Sequence, residues 1–497
     1  MILLTTLFFL DFGSHVPPAI ISLFLGLQAG PAFVSVIGSM GLAVFGLAIV
    51  IALTILMGRV YCSHLCPLGT LQDMFIWTSK RNFKHRKYPY KKPHFLFHYV
   101  FTSVLIASAL GGSLFVLNLF EPFSSFGRIL ANLVRPLVVL TNNAAAFILT
   151  KQQLYFLYEI PLKGLAVSVV AATIVFLGGL FWLSYYHGRY FCNTLCPVGG
   201  VLSIISRASL FRIDIERSKC IDCGLCERVC RARCIDSKTL RIEYAACVGC
   251  FDCIDSCPEN GMSYRFHWKK APTPAVDTRK REVLLNGSAA VLWLLGFQHT
   301  GGSDKPLFEE SRKTPVVPPG ACSIEHFSER CTACHLCVSS CPVHVLQPSF
   351  LDFGLAGIMQ PKMDYSVSYC TFDCTLCGQV CPTGAIQKLL PEEKKSVQIG
   401  KTQFVKEDCI VETKKTDCGA CSEHCPTKAV RMVPYGKLFL PEVDNQYCVG
   451  CGACEHACPT NPRKAIFVQS SAVHGIAKQR KEKQLEKPVS SPQEFPF

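Results

Sequence analysis

The chain has 497 residues, a formal net charge of +14, a mean hydropathy of +0.29 and 30 cysteines. This length indicates several domains, and the hydropathy is high for a soluble protein. The basic residues are not interleaved with aromatic residues, so the sequence gives no reason to expect nucleic acid as a partner.

The hydrophobicity is concentrated in the first two hundred residues. Apolar stretches near 35–57, 95–117 and 164–186 are each long enough to cross a hydrocarbon core of about 30 Å, which takes roughly 20 residues. We predict a transmembrane helix at each. The segment 1–12 is too short to span alone, and we expect an upstream start to be missing. Segment 16–30 is expected to be a further apolar segment or part of a bent hairpin.

Basic residues in the short loops predict the orientation of these helices. Segment 58–94 contains eight Lys and Arg residues, whereas the longer segment 118–163 contains four. The first loop is therefore predicted to be cytoplasmic and the second extracytoplasmic. Because the chain returns inward at 164–186, the residues that follow are expected in the cytoplasm.

One motif occurs twice at the cytoplasmic ends of the inward helices. The form G-R-x2-C-x3-C-P begins at Gly58 and again at Gly188. Four cysteines on two helix ends could ligate an additional iron–sulfur or iron site, form two redox-active dithiols, or be structural. Arg59 and Arg189 are expected to bind lipid phosphate or to mark the cytoplasmic side. The four cysteines are Cys62, Cys66, Cys192 and Cys196.

Residues 206–268 contain two C-x2-C-x2-C-x3-C blocks, the spacing of bacterial two-cluster ferredoxins. In that arrangement three cysteines of one loop hold a [4Fe–4S] cube, and the fourth holds the other cube. Cys230 is therefore expected to join the second loop and Cys257 the first. The predicted metal ligands are Cys220, Cys223, Cys226, Cys230, Cys247, Cys250, Cys253 and Cys257.

Four further blocks lie within residues 321–469, which makes six [4Fe–4S] clusters in all. Zinc ribbons and disulfide frameworks fit such triple runs poorly, because zinc sites take separated pairs of cysteines. Five of the six blocks end in Cys-Pro, and Arg231 replaces the proline in the first. The ligands predicted here are Cys331, Cys334, Cys337, Cys341, Cys370, Cys374, Cys377, Cys381, Cys409, Cys418, Cys421, Cys425, Cys448, Cys451, Cys454 and Cys458.

The run from Cys331 to His335 also matches the C-x-x-C-H string of covalent haem attachment. Cys337 and Cys341 follow at cubane spacing, so we interpret His335 as a loop residue. Two cysteines fall outside every block. Cys234 is expected to be a shielded thiol near a cube, and Cys322 lies beside a linker.

Residues 1–265 resemble the NapH-type membrane ferredoxins of nitrate reductase systems, which share two C-x3-C-P motifs with a cytoplasmic two-cluster ferredoxin; NosR has a similar membrane core. Residues 315–468 resemble the NapG-type periplasmic four-cluster ferredoxin. The resemblance implies that the two are fused in this chain. Resemblance to four-cluster subunits of molybdenum oxidoreductases implies nested cube pairing, the first block with the fourth and the second with the third.

The join between the two parts, 269–320, is predicted to be a basic signal-like segment and a Pro-rich linker. Its residues 279–297 resemble a twin-arginine export signal, with a short amphipathic helix as the alternative. The four-cluster domain is therefore expected outside the cytoplasmic membrane. The tail, 470–497, is expected to be a disordered basic segment.

The resulting fold class is an α-helical transmembrane domain over residues 1–205 joined to α+β ferredoxin-like domains. The resemblance implies oxidation of membrane quinol and electron transfer to a periplasmic reductase or cytochrome, without a substrate-reducing site of its own. The alternative is an accessory redox role that maintains or matures the metal centre of a partner oxidoreductase. Candidate proton acceptors for quinol oxidation are His64, His94, His98 and His187.

Overall fold

The computed structural model describes residues 2–12, 15–38, 43–82, 88–90, 98–104, 114–162, 164, 166–267, 314–354 and 357–479. A helical bundle occupies the chain up to residue 206. A two-cluster ferredoxin unit follows over 211–267, and a four-cluster unit over 314–479. The signal-like segment 279–297 and the tail beyond residue 479 lie outside the described residues.

The bundle consists mainly of apolar helices. Its helices are Ile2–Leu10 (α1), Pro18–Gly26 (α2), Ala29–Gly38 (α3), Ala43–Met57 (α4), Pro67–Asn82 (α5), Phe115–Phe120 (α6), Pro122–Ile129 (α7), Arg135–Lys151 (α8), Val167–His187 (α9), Tyr190–Thr194 (α10) and Pro197–Ser206 (α11). Residues 98–104 are also helical. Tyr61–Leu65 and Leu130–Val134 are π-helical turns, and the second makes α7 and α8 continuous.

Within the described ranges, two helices are long and apolar enough to cross a membrane: Val167–His187 and Pro122–Lys151. A third span is formed if α2 and α3, which meet at 89°, are counted together. Helix α9 lies where the third span was predicted. In the first predicted span, helix α4 has only 15 residues. Much of the predicted span 95–117 lies outside the described residues.

The helix at Pro122–Lys151 was not predicted from the sequence, because this region was interpreted as an extracytoplasmic loop. Arg128 and Arg135 interrupt the apolar run in the sequence. In the structure Arg128 is buried, and its guanidinium donates to the Ser125 hydroxyl at 3.0 Å and to the Leu119 carbonyl at 3.4 Å. A polar side chain that is bonded to its own helix can be buried without ending the helix.

The two-cluster ferredoxin unit packs on the C-terminal ends of α4 and α9. Its strands Phe211–Ile215 (β1) and Met262–Phe266 (β4) pair antiparallel, and Ile235–Asp236 (β2) pairs with Arg241–Ile242 (β3). Helices Leu225–Val229 (α12) and Asp252–Asp255 (α13) follow its two cysteine loops. The Tyr264 hydroxyl donates to the Met57 carbonyl at 3.2 Å, which attaches β4 to the end of α4.

The four-cluster unit has three antiparallel strand pairs and several one-turn helices. Strand Leu346–Pro348 (β5) pairs with Pro361–Met363 (β6), Val397–Phe404 (β7) with Ile466–Ile476 (β10), and Val430–Tyr435 (β8) with Leu438–Val443 (β9). Its helices are Ile324–Arg330 (α14), Leu336–Ser339 (α15), Leu376–Gln379 (α16), Pro391–Lys394 (α17), Ile410–Thr413 (α18), Ala420–Glu423 (α19) and Ala453–Ala457 (α20), with a 3-10 turn at Lys406–Asp408.

Both predicted boundaries of this unit need correction. Strand β10 continues to Ile476, so residues 470–476 belong to the sheet and not to a disordered tail. Residues 315–319 were interpreted as part of a linker, but Val316 and Val317 are buried in the core. The Met363 amide donates to the Val316 carbonyl at 2.9 Å, so this segment extends the strand pair.

Helix α9 touches one ferredoxin unit at each of its ends. Near its N-terminus, Val169 packs with Ala333 and Met359 of the four-cluster unit. Just beyond its C-terminus, the Arg189 amide donates to the Arg231 carbonyl of the two-cluster unit at 2.9 Å. A helix of 21 residues is about 31 Å long, which matches the hydrocarbon thickness of a bilayer.

Gly127 of α7 lies at a close contact between the bundle and the four-cluster unit. A Cβ at this position would lie 2.4 Å from the Cys334 carbonyl oxygen and 2.8 Å from the Phe9 ring. We expect Gly127→Ala to destabilise the protein by about 1–3 kcal/mol through overpacking. Thermal unfolding of the protein in detergent measures this. Gly178→Ala in α9, where nothing lies within 4 Å, is the matched control. Equal melting temperatures for the two variants would contradict the docked arrangement.

Candidate iron–sulfur and membrane cysteine sites

The two-cluster ferredoxin unit brings its cysteines together with the exchange of fourth ligands that the spacing predicts. One cavity is lined by the thiols of the first loop and Cys257, and we call it the distal ferredoxin site: Cys220, Cys223, Cys226 and Cys257. A second cavity, the proximal ferredoxin site, is lined by the second loop and Cys230: Cys230, Cys247, Cys250 and Cys253. Positive φ angles at Gly224 and Gly249 allow the tight loops that converge on these cavities.

Cys234 lines the proximal cavity as a fifth thiol. It is buried, and its sulfur lies 3.5 Å from that of Cys230. The interaction with Cys234 lowers the pKa of Cys230 to about 7, whereas burial raises the pKa of Cys250 to about 12. Cys234 is therefore shielded in the structure, as expected.

The donor chemistry fits iron–sulfur ligation. Soft thiolates are the ligands of iron–sulfur clusters, and a bound metal favours the deprotonated form that burial disfavours. Burial also raises the pKa of Cys334 and of Cys421 to about 12. In the described ranges no three His, Cys, Asp or Glu side chains converge on a single metal ion, and the thiols surround cavities instead.

In the four-cluster unit the first block pairs with the second. Cys381 interacts electrostatically with the first three cysteines of block one, which defines site A: Cys331, Cys334, Cys337 and Cys381. Cys341 interacts in the same way with block two, which defines site B: Cys341, Cys370, Cys374 and Cys377. The nested pairing implied by resemblance is thus wrong, because α15 packs against α16, the helix of the next block.

The third and fourth blocks form the second pair. Cys458 joins block three around one cavity, site D: Cys409, Cys418, Cys421 and Cys458. Cys425 joins block four as site C: Cys425, Cys448, Cys451 and Cys454. The Cys370 amide donates to the Cys451 carbonyl at 3.0 Å, so site B lies beside site C. The order of sites through the unit is therefore A, B, C and D.

Cys62, Cys66, Cys192 and Cys196 are buried and mutually close, and we call them the membrane quartet. The two copies of the repeat are joined by crossed hydrogen bonds. Arg59 Nη2 donates to the Cys192 carbonyl at 3.0 Å, and Arg189 Nη1 donates to the Cys62 carbonyl at 2.8 Å. The repeat therefore builds two related halves of one site.

Both arginines are only 1% exposed, so the expectation that they contact lipid phosphate is wrong. Arg59 also donates to Asn193 Oδ1 at 2.6 Å and to the Ala245 carbonyl at 2.9 Å. These partners are neutral, and an uncompensated buried guanidinium is costly. Deprotonated thiolates of the quartet would provide the missing negative charge, and a bound metal group would keep these buried thiols deprotonated.

The quartet lies directly against the proximal ferredoxin site. The Ser63 hydroxyl donates to the Gly249 carbonyl at 3.2 Å, and the Asn193 amide donates to the Ala246 carbonyl at 3.2 Å. Gly249 lies two residues after Cys247 and directly before Cys250, and both cysteines belong to the proximal ferredoxin site. The membrane quartet and the proximal ferredoxin site are therefore separated by only a few residues.

An ionic network explains why Arg231 replaces the proline of the first block. Arg231 bonds to Asp252 at 2.6 Å and to Asp73 of α5 at 2.9 Å. Asp73 also pairs with Arg189 at 2.6 Å. A proline could not form these ion pairs. The arginine therefore connects the two-cluster unit to α5, the helix that follows the first repeat.

A cluster of buried polar residues lies between the membrane quartet and site A. The Tyr61 hydroxyl donates to Gln28 Oε1 at 3.3 Å, at the bend between α2 and α3. Glu121 caps α7 and interacts electrostatically with both Tyr61 and Cys334. A Cβ at Gly30 would lie 2.0 Å from Glu121 Oε1, so glycine is required there. These residues were not identified as functional candidates from the sequence.

His335 attaches the first block to the bundle. Asn132 Nδ2 donates to its Nδ1 at 3.2 Å, and its Nε2 donates to the Met359 carbonyl at 2.7 Å. Burial lowers the pKa of His335 to about 4, so the ring is neutral. Because both ring nitrogens are occupied, His335 is not placed as a haem ligand. It has a positional role that the loop interpretation did not anticipate.

The histidines predicted to accept protons from quinol lie in different surroundings. His98 is buried and its Nε2 donates to the Cys196 carbonyl at 3.1 Å. His64 shares a hydrogen bond with the Ser63 hydroxyl at 2.7 Å, and the His187 ring lies 5.4 Å from that of Trp182. His94 lies outside the described residues.

Models of 4Fe-4S binding domains match several parts of the chain. A 4Fe-4S binding domain model matches residues 39–86, 169–217 and 377–394, and another such model matches 247–260. A 4Fe-4S dicluster domain model matches 330–385, which contains every cysteine of sites A and B, and 414–461, which contains the cysteines of sites C and D except Cys409. No solved structure matches.

Among curated relatives, an uncharacterized protein of Methanocaldococcus jannaschii is 28% identical over 235 residues, which are 47% of this chain and 83% of that protein. The ferredoxin-type protein NapH of Escherichia coli is 25% identical over 46% of this chain and 69% of its own length. The resemblance to NapH-type membrane ferredoxins is confirmed. The ferredoxin-type protein MauN of Methylobacillus flagellatus is 27% identical over 35% of this chain and 48% of its own length.

We expect Arg189→Lys to destabilise the protein by about 2–3 kcal/mol, because lysine cannot reproduce a planar guanidinium bonded to Asp73 and to the Cys62 carbonyl. Denaturant unfolding in detergent measures the loss. Arg81→Lys on the exposed end of α5 is the control and should behave like the parent protein. Equal stability of both variants would show that the crossed contact contributes little.

Proposed function

We propose that this protein oxidises membrane quinol and transfers the electrons through six [4Fe–4S] clusters to a periplasmic reductase or cytochrome. An iron–sulfur electron-transfer role in a membrane is supported by the relatives and the domain matches. Quinol as donor and a periplasmic acceptor are our inference. In this role the protein is the quinol dehydrogenase component of a larger system and reduces no further substrate itself.

The observation that supports this proposal most directly is a series of thiol sites, interrupted only by the polar residues between the membrane quartet and site A. It runs from the distal and proximal ferredoxin sites to the membrane quartet, then past Tyr61 and Glu121 to site A, and on through sites B, C and D. A protein that only bound partners would not need redox-capable residues along its whole length.

We propose that the two ferredoxin units lie on opposite sides of the cytoplasmic membrane. Their contacts at the two ends of α9 are separated by about one bilayer thickness. The many basic residues of segment 58–94 favour the cytoplasm for the two-cluster unit. The four-cluster unit would then be periplasmic, as a fusion with a NapG-type ferredoxin implies.

We also propose that the membrane quartet holds an additional iron–sulfur or iron site. Its residues fit such a group, because four buried thiols face two buried arginines. When bound, the group would accept and donate single electrons. The protein's own residues hold the sulfurs in place through the crossed arginine contacts, and Gln72 Nε2 reaches the Cys192 sulfur at 3.5 Å.

Iron and acid-labile sulfide per chain test the cofactor content. Six cubes contain about 24 irons, and an occupied quartet raises the number to about 26–28. We expect the higher number in anaerobically purified protein and a return to about 24 when Cys62, Cys66, Cys192 and Cys196 are changed to Ser. A number that is unchanged by this variant would remove the additional site. A number far below 24 would contradict the six cubes.

Site D at the far end of the series tests the direction of electron flow. In nanodiscs supplied with menaquinol, we expect continuous reduction of a soluble cytochrome c. Cys458→Ser disrupts site D and should lower this rate at least tenfold, while menaquinol still produces the EPR signals of the remaining clusters. Cys322→Ser removes an exposed thiol outside all sites and should have no effect. If the acceptor is reduced only once per protein molecule, the accessory role is favoured instead.

A further inference from the structure

Cys234 is a fifth thiol in the cavity of the proximal ferredoxin site, where a cube takes four ligands. Its sulfur lies 3.5 Å from that of Cys230, and its side chain also hydrogen bonds to Cys247. Both partners are predicted ligands of the same cube. Cys234 is only 2% exposed, so solvent does not replace these contacts.

The other side chains that line this cavity, apart from the four predicted ligands, are apolar. They belong to Ile213, Ala232, Ile235, Ile242, Val248 and Phe251. Such side chains offer no lone pair to a thiol. Among the described lining residues, the side-chain acceptors left to Cys234 are therefore the sulfur atoms of the predicted ligands.

Iron ligation determines which sulfur carries the proton. A cysteine binds iron as the thiolate, so Cys230 and Cys247 have no S–H when they act as ligands. The hydrogen bonds then require Cys234 to remain a protonated thiol and to donate. A hydrogen bond to a ligand sulfur raises the reduction potential of an iron–sulfur cluster, because it stabilises the negative charge that reduction adds.

The distal ferredoxin site differs from the proximal site in this respect. The thiols among its described lining residues are only its four predicted ligands, Cys220, Cys223, Cys226 and Cys257. One oxygen of the Asp222 carboxylate lies 3.6 Å from the Cys220 sulfur. A carboxylate beside a thiolate ligand opposes added negative charge, whereas a thiol donor favours it. Both differences favour an electron at the proximal site over one at the distal site.

We propose that Cys234 raises the reduction potential of the proximal cluster by donating its S–H to the ligand sulfurs. This inference rests on the iron–sulfur sites of the proposed function and adds what distinguishes the two cubes of the ferredoxin unit. Cys234 is a positioning residue that binds no iron and keeps its proton when the site takes up an electron. The higher potential holds the electron at the cube that lies against the membrane quartet.

A redox titration followed by EPR tests this inference on the anaerobically purified full-length protein. The proximal component is identified as the signal that is lost in Cys250→Ala. We expect Cys234→Ala to keep its iron and to lower the equilibrium constant for one-electron reduction of this component about tenfold, which is a shift of about 59 mV. Cys322→Ala removes an exposed thiol outside all sites and should leave every potential unchanged.

Cys234→Ser separates the hydrogen bond from packing, because a hydroxyl is close in size to a thiol and also donates. We expect its equilibrium constant to be no more than about threefold below that of the parent protein. An unchanged potential in Cys234→Ala would overturn the inference, and so would equal shifts in both variants. A loss of about four irons in both variants would also overturn it, because Cys234 would then be a ligand. If only the alanine variant loses iron, a lowered potential in the serine variant overturns the inference.

Failure of this inference can be distinguished from failure of the proposed function. If the parent protein contains about 24 irons or more and the Cys234 variants keep its potentials, the iron–sulfur sites stand and the tuning role of Cys234 is wrong. If the parent protein contains far fewer irons and gives no proximal signal, both proposals fail.

Discussion

The arrangement depends on the crossed contact between the two copies of the repeat. Each buried arginine donates to the carbonyl of the first cysteine in the other copy, so neither half of the membrane quartet is complete alone. Burying two guanidinium groups is unfavourable unless nearby groups compensate their charge. Asp73 does so for Arg189, and quartet thiolates would do so for Arg59. The same contact holds the ends of α4 and α9 together, and the two-cluster unit docks on these ends.

This contact also determines what lies on either side of the quartet. Arg59 and Asn193 reach into the loop that carries Cys247, so the ferredoxin is held next to the quartet. Tyr61 belongs to the first repeat and connects in the opposite direction to Gln28, and Glu121 lies between Tyr61 and Cys334. A helix pair that bends by 89° supplies the backbone for this connection. Broken helices with buried polar groups are typical of functional positions in membrane proteins.

Local spacing predicted the thiol groupings of the two-cluster unit, because that ligand exchange takes place within about forty residues of chain. It could not predict the pairing of the other four blocks, which depends on how their helices pack. Arg59 and Arg189 were interpreted as charges at the membrane interface, because the sequence does not show that backbone carbonyls accept hydrogen bonds from them. Their identical position in both copies was the signal that could have identified them. The helix around Arg128 was not predicted, because a hydropathy scale gives arginine the same polar value whether or not its side chain is hydrogen bonded in the fold.

We propose that one chain conducts electrons across a membrane. Proteoliposomes with the two-cluster unit facing outward test it, with the impermeant reductant dithionite added outside and ferricyanide trapped inside. We expect rapid reduction of ferricyanide by the parent protein, and a rate close to that of protein-free vesicles when the four quartet cysteines are changed to Ser. Equal rates for the parent protein and for empty vesicles, in samples with full iron content, would show that the chain does not conduct electrons across the membrane.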